Sequence, residues 1–306
     1  MNSDRIQEIL DLMEEARLDY FLISDPQSIA YCTGYYNDPH ERMFVFMISK
    51  HGNHTLFMND LFYLDHDLDV NIVWHKDGQD AIQTIVDEMH FPGRIGIDKN
   101  WASHFLLDLM KKLPDAKYIN ASPCVDLVRM KKDLQEQVLM IESSKINDAV
   151  MEEIIPFIQE GVTEKQLAKK LDELFFNHHS TCYGAIVAFG KNAADPHHEN
   201  DDTLLRKGDC VLIDMGCVYK GYCSDMTRTF FYEGILEEEI KVYEIVKKAN
   251  EAAEAMIKPG VKLSDIDKCA RKVISDEGYG KYFTHRLGHF IGRDVHEYGD
   301  VSSVNE

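Results

Sequence analysis

The sequence predicts two domains of different class: an α/β domain over residues 1–125, then an α+β domain over residues 126–306. Three observations carry this reading. A chain of 306 residues, 44% apolar and 28% charged, has the length and composition of about two globular cores. Its first ~120 residues alternate helical with strand-like patterns, the signature of a mixed sheet flanked by helices. Its second half instead sets antiparallel strand pairs beside long helices.

In the first domain, residues 4–17 carry a helical apolar period, and YFLIS (20–24), FVFMIS (44–49) and HTLFMN (54–59) read as strands. A helix is predicted from Ala81 to Met89, a short strand at RIGID (94–98), and another helix from His104 to Lys112. The stretch NASPCVDLVRMKKDLQ (120–135) combines a proline with clustered bases and marks the junction. A long amphipathic helix follows from Leu134 to about Ile155. Thr163-Glu-Lys-Gln166 is a capping-box signature that opens a helix running to about Asn177. Strands are predicted at 184–189, 209–217 and 222–232. Two more helices follow, Glu237 to Ile257, stopped by Pro259-Gly260, and Ser264 to Glu277, stopped by Gly278.

Bulk properties remove several functions. A net charge of −20 with no offsetting basic patch argues against nucleic acid as a partner. The N-terminal segment carries acids within its apolar period, unlike a signal peptide, and no apolar stretch approaches the ~20 residues of a membrane helix. Seven scattered cysteines without a CxxC pair suggest reduced thiols and a cytoplasmic protein.

The stretch VLIDMGCVYKGYCSDMTRTF (211–230) carries the chemistry. Asp214 ends an apolar strand and Asp225 sits inside the next, where an ionised carboxylate needs a positive partner. Lys220-Gly221 is the expected hairpin turn, pairing Tyr219 with Tyr222, Asp214 with Thr227 and Gly216 with Asp225. Because side chains alternate with a period of two, Asp214 and Asp225 then share one face as diagonal neighbours. Two like charges so placed call for a proton or a cation between them. The competing assignment pairs Asp225 with Arg228 and leaves Asp214 to cap a neighbouring element. Two glycine-containing stretches add imidazoles: GKNAADPHHEND (190–201) holds His197 and His198, and THRLGHFIGRDVHEYG (284–299) holds His285, His289 and His296. Carboxylate and imidazole together suit Mn, Fe, Co or Zn, and calcium less well.

Three motifs in combination, N-x-x-x-P-H (192–197), D-M-G…Y-x-S-D-M-T-R-T (214–229) and G-H-F-I-G…V-H-E (288–297), give the chain a resemblance to a family. It resembles the pita-bread metallopeptidases of the M24 family, related to aminopeptidase P and prolidase, over essentially its whole length. LDYFLISDPQSIAYCTGY (18–35) is similar to the creatinase/prolidase N-terminal domain. The resemblance implies an α/β N-terminal domain and a pita-bread α+β catalytic domain. It implies hydrolysis of an Xaa-Pro bond by a metal-bridging hydroxide, two divalent metals with manganese foremost and cobalt or zinc as alternatives, and a homodimer. Asp214 and Asp225 would be metal ligands, Asp225 bridging, with His289 on the second metal. His197, His285 and His296 would be catalytic histidines that hold substrate and stabilise the tetrahedral intermediate.

Two departures accompany the resemblance. The family completes its site with glutamates in an E-P-G and an R-x-E-D motif, and neither motif occurs in these 306 residues. On the family pattern the catalytic domain lacks its last strands, and weak or absent activity is expected. His198 stands where many relatives have glycine. A metal-free, creatinase-like hydrolase and a non-catalytic member or fragment of the same fold are the alternatives.

Overall fold

The computed structural model describes residues 1–90 and 92–306. They form two compact units, Met1–Lys131 and Lys132–Glu306.

The first unit contains, in order, α1 (Ser3–Glu15), β1 (Tyr20–Ile23), α2 (Pro26–Thr33), β2 (Val45–Ser49), β3 (Thr55–Asn59), β4 (Asn71–His75), α3 (Ala81–Glu88), β5 (Arg94–Ile97), α4 (Ser103–Lys112), β6 (Lys117–Asn120) and α5 (Ser122–Met130). Its strands make one six-stranded mixed sheet in the order β4-β3-β2-β1-β5-β6. β1 runs parallel to β5 and antiparallel to β2. Every residue of β1, β2 and β3 is buried, because apolar clusters cover both faces of the sheet. That burial explains why these strands read as continuous apolar runs rather than alternating ones.

Four elements of this unit escaped the apolar pattern: α2, β4, β6 and α5, the last lying in the stretch that marks the junction. α2 has no amphipathic stripe, since Ser28 to Thr33 are all buried, yet its ends are fully signalled. Asp25 accepts from the Ser28 amide, Pro26 stands in the first turn, and Gly34 caps with φ +83°. β4 and β6 lie at the two sheet edges and are only partly buried, so their sequences look mixed.

The second unit begins with α6 (Leu134–Ile154), which opens on a capping box between Asp133 and Glu136. α7 (Glu164–Asn177) opens on the predicted box between Thr163 and Gln166. Short β7 (Thr181–Cys182) and β8 (Ile186–Phe189) lead to a hairpin made of β9 (Cys210–Met215), β10 (Cys217–Tyr219), β11 (Tyr222–Cys223) and β12 (Met226–Phe231). Helices α8 (Glu237–Glu254) and α9 (Leu263–Asp276) pack on each other around Ile245, Ala249, Ala270 and Ile274. A two-stranded ribbon of β13 (Gly288–Phe290) and β14 (Glu297–Val301) follows.

The hairpin register is the one predicted. Tyr219 pairs with Tyr222, Met215 with Met226, and Asp214 with Thr227. The two long predicted strands are each interrupted, however. β9 and β12 belong to a sheet with β8, while β10 and β11 belong to a sheet with β7. At the break, the Cys217 amide donates to the Ser224 hydroxyl, and the Ser224 carbonyl accepts from the Tyr183 hydroxyl at 2.7 Å. Side chains thus replace one rung of the ladder beside Asp225, and the sheet divides there without a change of register.

Candidate metal centre

β9 alternates along its length. Val211, Ile213 and Met215 are buried in the core, while Leu212 and Asp214 face the other way. Directly paired residues share a face, so Ile186, Asp214 and Thr227 form a row across β8, β9 and β12. All three line a cavity of about 410 Å³. Asp225, His197, His285, His289 and His296 line the same cavity. The structure therefore brings together all six residues singled out from the sequence.

Electrostatics mark the aspartate pair as the strained part of this face. Burial pushes the Asp214 carboxyl above its ordinary value of 3.8; the Thr227 hydroxyl, donating at 2.7 Å, opposes that shift, and the neighbouring Asp225 charge adds to it. His289 Nε2 lies 3.4 Å from Asp225 Oδ2. That contact raises the imidazole pKa above 6.5, against the opposing effect of burial. His296, whose ring centroid is 4.3 Å from that of His289, is held below 6.5 by burial and then by the His289 and Arg286 charges. Arg228 donates to the Thr227 carbonyl and does not take the Asp225 partnership considered from sequence. Burial, with Asp294 and Glu297 adding to it, pushes the nearby Cys223 thiol up to about 12, so it stays neutral and offers no thiolate.

By donor type this set suits a divalent cation. Two carboxylates and an imidazole on one half-buried face are oxygen and nitrogen donors of the kind Mn, Co or Zn accept. A cation there would also reverse the repulsion that raises Asp214. Among the described residues, the set of three potential ligands whose atoms all lie within 4.8 Å of one another is a different one, Glu164, His198 and Asp201. Its carboxylate is already engaged. Glu164 Oε1 accepts from the Phe189 amide and Asn192 Nδ2, and Oε2 accepts from His198 Nε2 at 2.6 Å and the Asp201 amide. Four donors match the lone-pair capacity of a carboxylate.

Sequence reasoning missed how the three remaining histidines are held. Each lies on a loop pinned by a buried acid. Glu164, fully buried, ties down the loop of His197. Asp267, also fully buried, accepts from the Leu287 amide and from Arg271, which itself donates to the carbonyls of Phe283 and His285. Glu297 accepts from the Arg293 amide at 2.9 Å and from Lys132 Nζ at 2.7 Å, beside His296. Signals existed for all three: Glu164 sits inside the capping box, Glu297 inside the V-H-E motif, and Asp267 four residues before Arg271.

A six-stranded α/β unit followed by antiparallel strands that turn two aspartates and four histidines into one cavity is the layout of a metal-dependent hydrolase. The chain belongs to metallopeptidase family M24, whose model matches residues 138–306. The creatinase/prolidase N-terminal domain matches residues 5–131. The fold is accordingly a creatinase-type N-terminal domain plus a pita-bread domain. An uncharacterized peptidase of Staphylococcus aureus (strain bovine RF122 / ET3-1) is 33% identical over 310 residues, covering 98% of this chain and 87% of the relative. A dipeptidase from Pyrococcus horikoshii OT3 superposes with a TM-score of 0.90 at 34% identity, covering 99% of this chain and 86% of that one. An Xaa-Pro dipeptidase from Bacillus anthracis gives a TM-score of 0.89 at 27% identity, covering 99% and 85%.

Proposed function

We propose that this chain is a metal-dependent peptidase acting on the Xaa-Pro bond of dipeptides or short peptides. The observation that carries the reading is the single cavity shared by Asp214, Asp225, His197, His285, His289 and His296 on an M24 fold. Asp214, Asp225 and His289 would hold the metal, with manganese the expected ion. When bound, a divalent metal supplies Lewis-acid polarisation and an acidified water. His289 must first give up the proton that Asp225 stabilises, so metal binding releases protons and weakens in acid.

The remaining residues bind and orient. His296, neutral near pH 7, offers one ring N–H as a hydrogen-bond donor without bringing a charge into the cavity. With His197 and His285 it rims the cavity, where donors can meet the oxygen that gains charge as the carbonyl turns tetrahedral. Ile186, Tyr183 and Val295 supply apolar wall, which suits a proline ring and excludes water from one side of the peptide bond. The likeness to the Bacillus anthracis Xaa-Pro dipeptidase supports this substrate class.

All seven cysteines are free thiols, in keeping with a reducing cytoplasm, and among the described residues no helix is long and apolar enough to cross a membrane. A homodimer, as in the resemblance, completes the proposal. The metal-free alternative is less favoured because Asp214, Asp225 and His289 are all present and face one cavity. The test is Mn²⁺ titration by calorimetry alongside hydrolysis of Ala-Pro and Ala-Ala. Saturable Mn²⁺ binding and proline-selective cleavage are expected; equal cleavage of both dipeptides, or no Mn²⁺ binding, would overturn the proposal.

A further inference from the structure

We infer that His198 and Glu164 form a clamp whose role is to position His197, a role that rests on the functional reading above. Glu164 is completely buried at the first turn of α7, and all four of its donors come from residues 189–201. The segment is folded around this one anion. Asn192 also donates to Thr203 Oγ1 at 3.2 Å, and the Glu164 amide donates to the Thr203 carbonyl, closing the loop at its far end.

His197 lies between the clamp's contacts. Its own amide donates to Asp195 Oδ1 at 3.0 Å, and the residue is exposed toward the cavity that holds Asp214 and Asp225. His197 and His198 are consecutive, one at the cavity and the other turned inward with only 11% of its side chain exposed. The direction of one imidazole therefore fixes that of the other through a single peptide unit. Removing the His198 ring leaves Glu164 Oε2 with the Asp201 amide alone and a buried anion short of a donor. The loop must then rearrange to satisfy it, and His197 moves with it.

The same three groups, Glu164, His198 and Asp201, lie close enough to suggest a cation. A cation would have to displace the His198 N–H and compete with two backbone amides already aimed at the carboxylate. The geometry points to a hydrogen-bonded clamp.

The experiment compares His198→Ala, His198→Gln, His197→Ala and the double variant His197→Ala/His198→Ala in the full chain. Three readouts are taken: kcat and KM on Ala-Pro with Mn²⁺, the His197 ring resonances without metal, and exchange of the Phe189 and Asp201 amides. The proposal expects His198→Ala to lower kcat/KM about tenfold, the scale of a misplaced binding group. The same variant should shift the His197 ring resonances and speed exchange of both amides. Gln retains an N–H at the matching reach and should restore kcat/KM to within about threefold of wild type. The double variant should be no worse than His197→Ala alone, because His198 acts only through His197. Multiplicative losses, failure of Gln to rescue, or an unmoved His197 ring would each overturn the clamp. So would Mn²⁺ broadening the His198 ring before the His289 ring. If wild type does not cleave Ala-Pro, the functional reading fails, and the ring shift and amide exchange still decide the clamp.

Discussion

Asp214 shows what the site imposes on a single residue. Its position was legible from strand periodicity and one turn, because a period of two and a fixed register decide which face a side chain takes. Its environment was not legible, since burial and the distance to Asp225 depend on how the sheets divide at Ser224. The consequence can be measured in metal-free protein. The folded pKa of Asp214 is raised, so the native state holds its proton more tightly than the unfolded chain does. Stability from this group is therefore fully present below pH 3.8 and is lost as pH rises through the folded value. Asp214→Asn keeps an oxygen for the Thr227 hydroxyl and removes the charge. With chelator at pH 7 the variant should be more stable by about 1 kcal/mol, after allowance for the partial exposure of the site. That corresponds to a melting point higher by about 2–4 °C. The advantage should shrink toward pH 4, and Mn²⁺ should stabilise wild type but not the variant. A less stable variant in chelator at pH 7 would show that the carboxylate is well accommodated without metal.

At the scale of elements, the hairpin and its three flanking loops hold the site, and their legibility differs. The turn at Lys220-Gly221 was readable because glycine takes positive φ freely, and in the structure both residues do, at 49° and 83°, as a tight two-residue turn needs. The acids that pin the loops were not recognised as such, because their partners lie up to 165 residues away, as for Lys132 and Glu297. Buried and solvated acids look alike in one sequence. Gly216 belongs to the same class. It stood inside a strand pattern as an ordinary glycine, yet a Cβ there would meet the Tyr183 hydroxyl and the Ser224 carbonyl oxygen. Backbone cannot yield to it as a flexible side chain could. Gly216→Ala should thus lower stability by about 2–3 kcal/mol in urea unfolding. It should weaken Mn²⁺ binding too, by prising β9 and β10 from β11 and β12, which flank Asp225. Gly234→Ala is the control, since a Cβ there meets only Gly208, at 3.6 Å from its Cα; a change within about 0.5 kcal/mol is expected. Equal effects of the two substitutions would mean that the contact at Gly216 relaxes freely.

For the whole molecule, the division into two units was visible as a change of pattern, from alternating α and β to antiparallel strands with helices. The edge of the first unit was harder to place, because α5 continues the α/β alternation past residue 125. Val125 and Val128 of α5 pack in the same apolar cluster as Ile6, Phe21 and Phe46, so the helix belongs to the first unit through its last turn. That unit is covered on both sheet faces by its own residues, with one cluster around Phe21 and Phe46 and the other around Leu22, Phe57 and Ile85. A chain of this length with two filled layers meets the requirements for independent, cooperative folding. All six candidate site residues, by contrast, lie in residues 132–306. A fragment of residues 1–131 should therefore unfold in a single cooperative step and be indifferent to metal. Mn²⁺ at about 100 times its Kd should stabilise the full chain by about 2.7 kcal/mol, the value that ligand linkage gives for one site. The same concentration should leave the melting point of the fragment unchanged. Equal stabilisation of the fragment would move the strongest cation site into the first unit, away from Asp214 and Asp225. A fragment without a cooperative transition would show that the apolar layers seen on its sheet do not suffice to fold it.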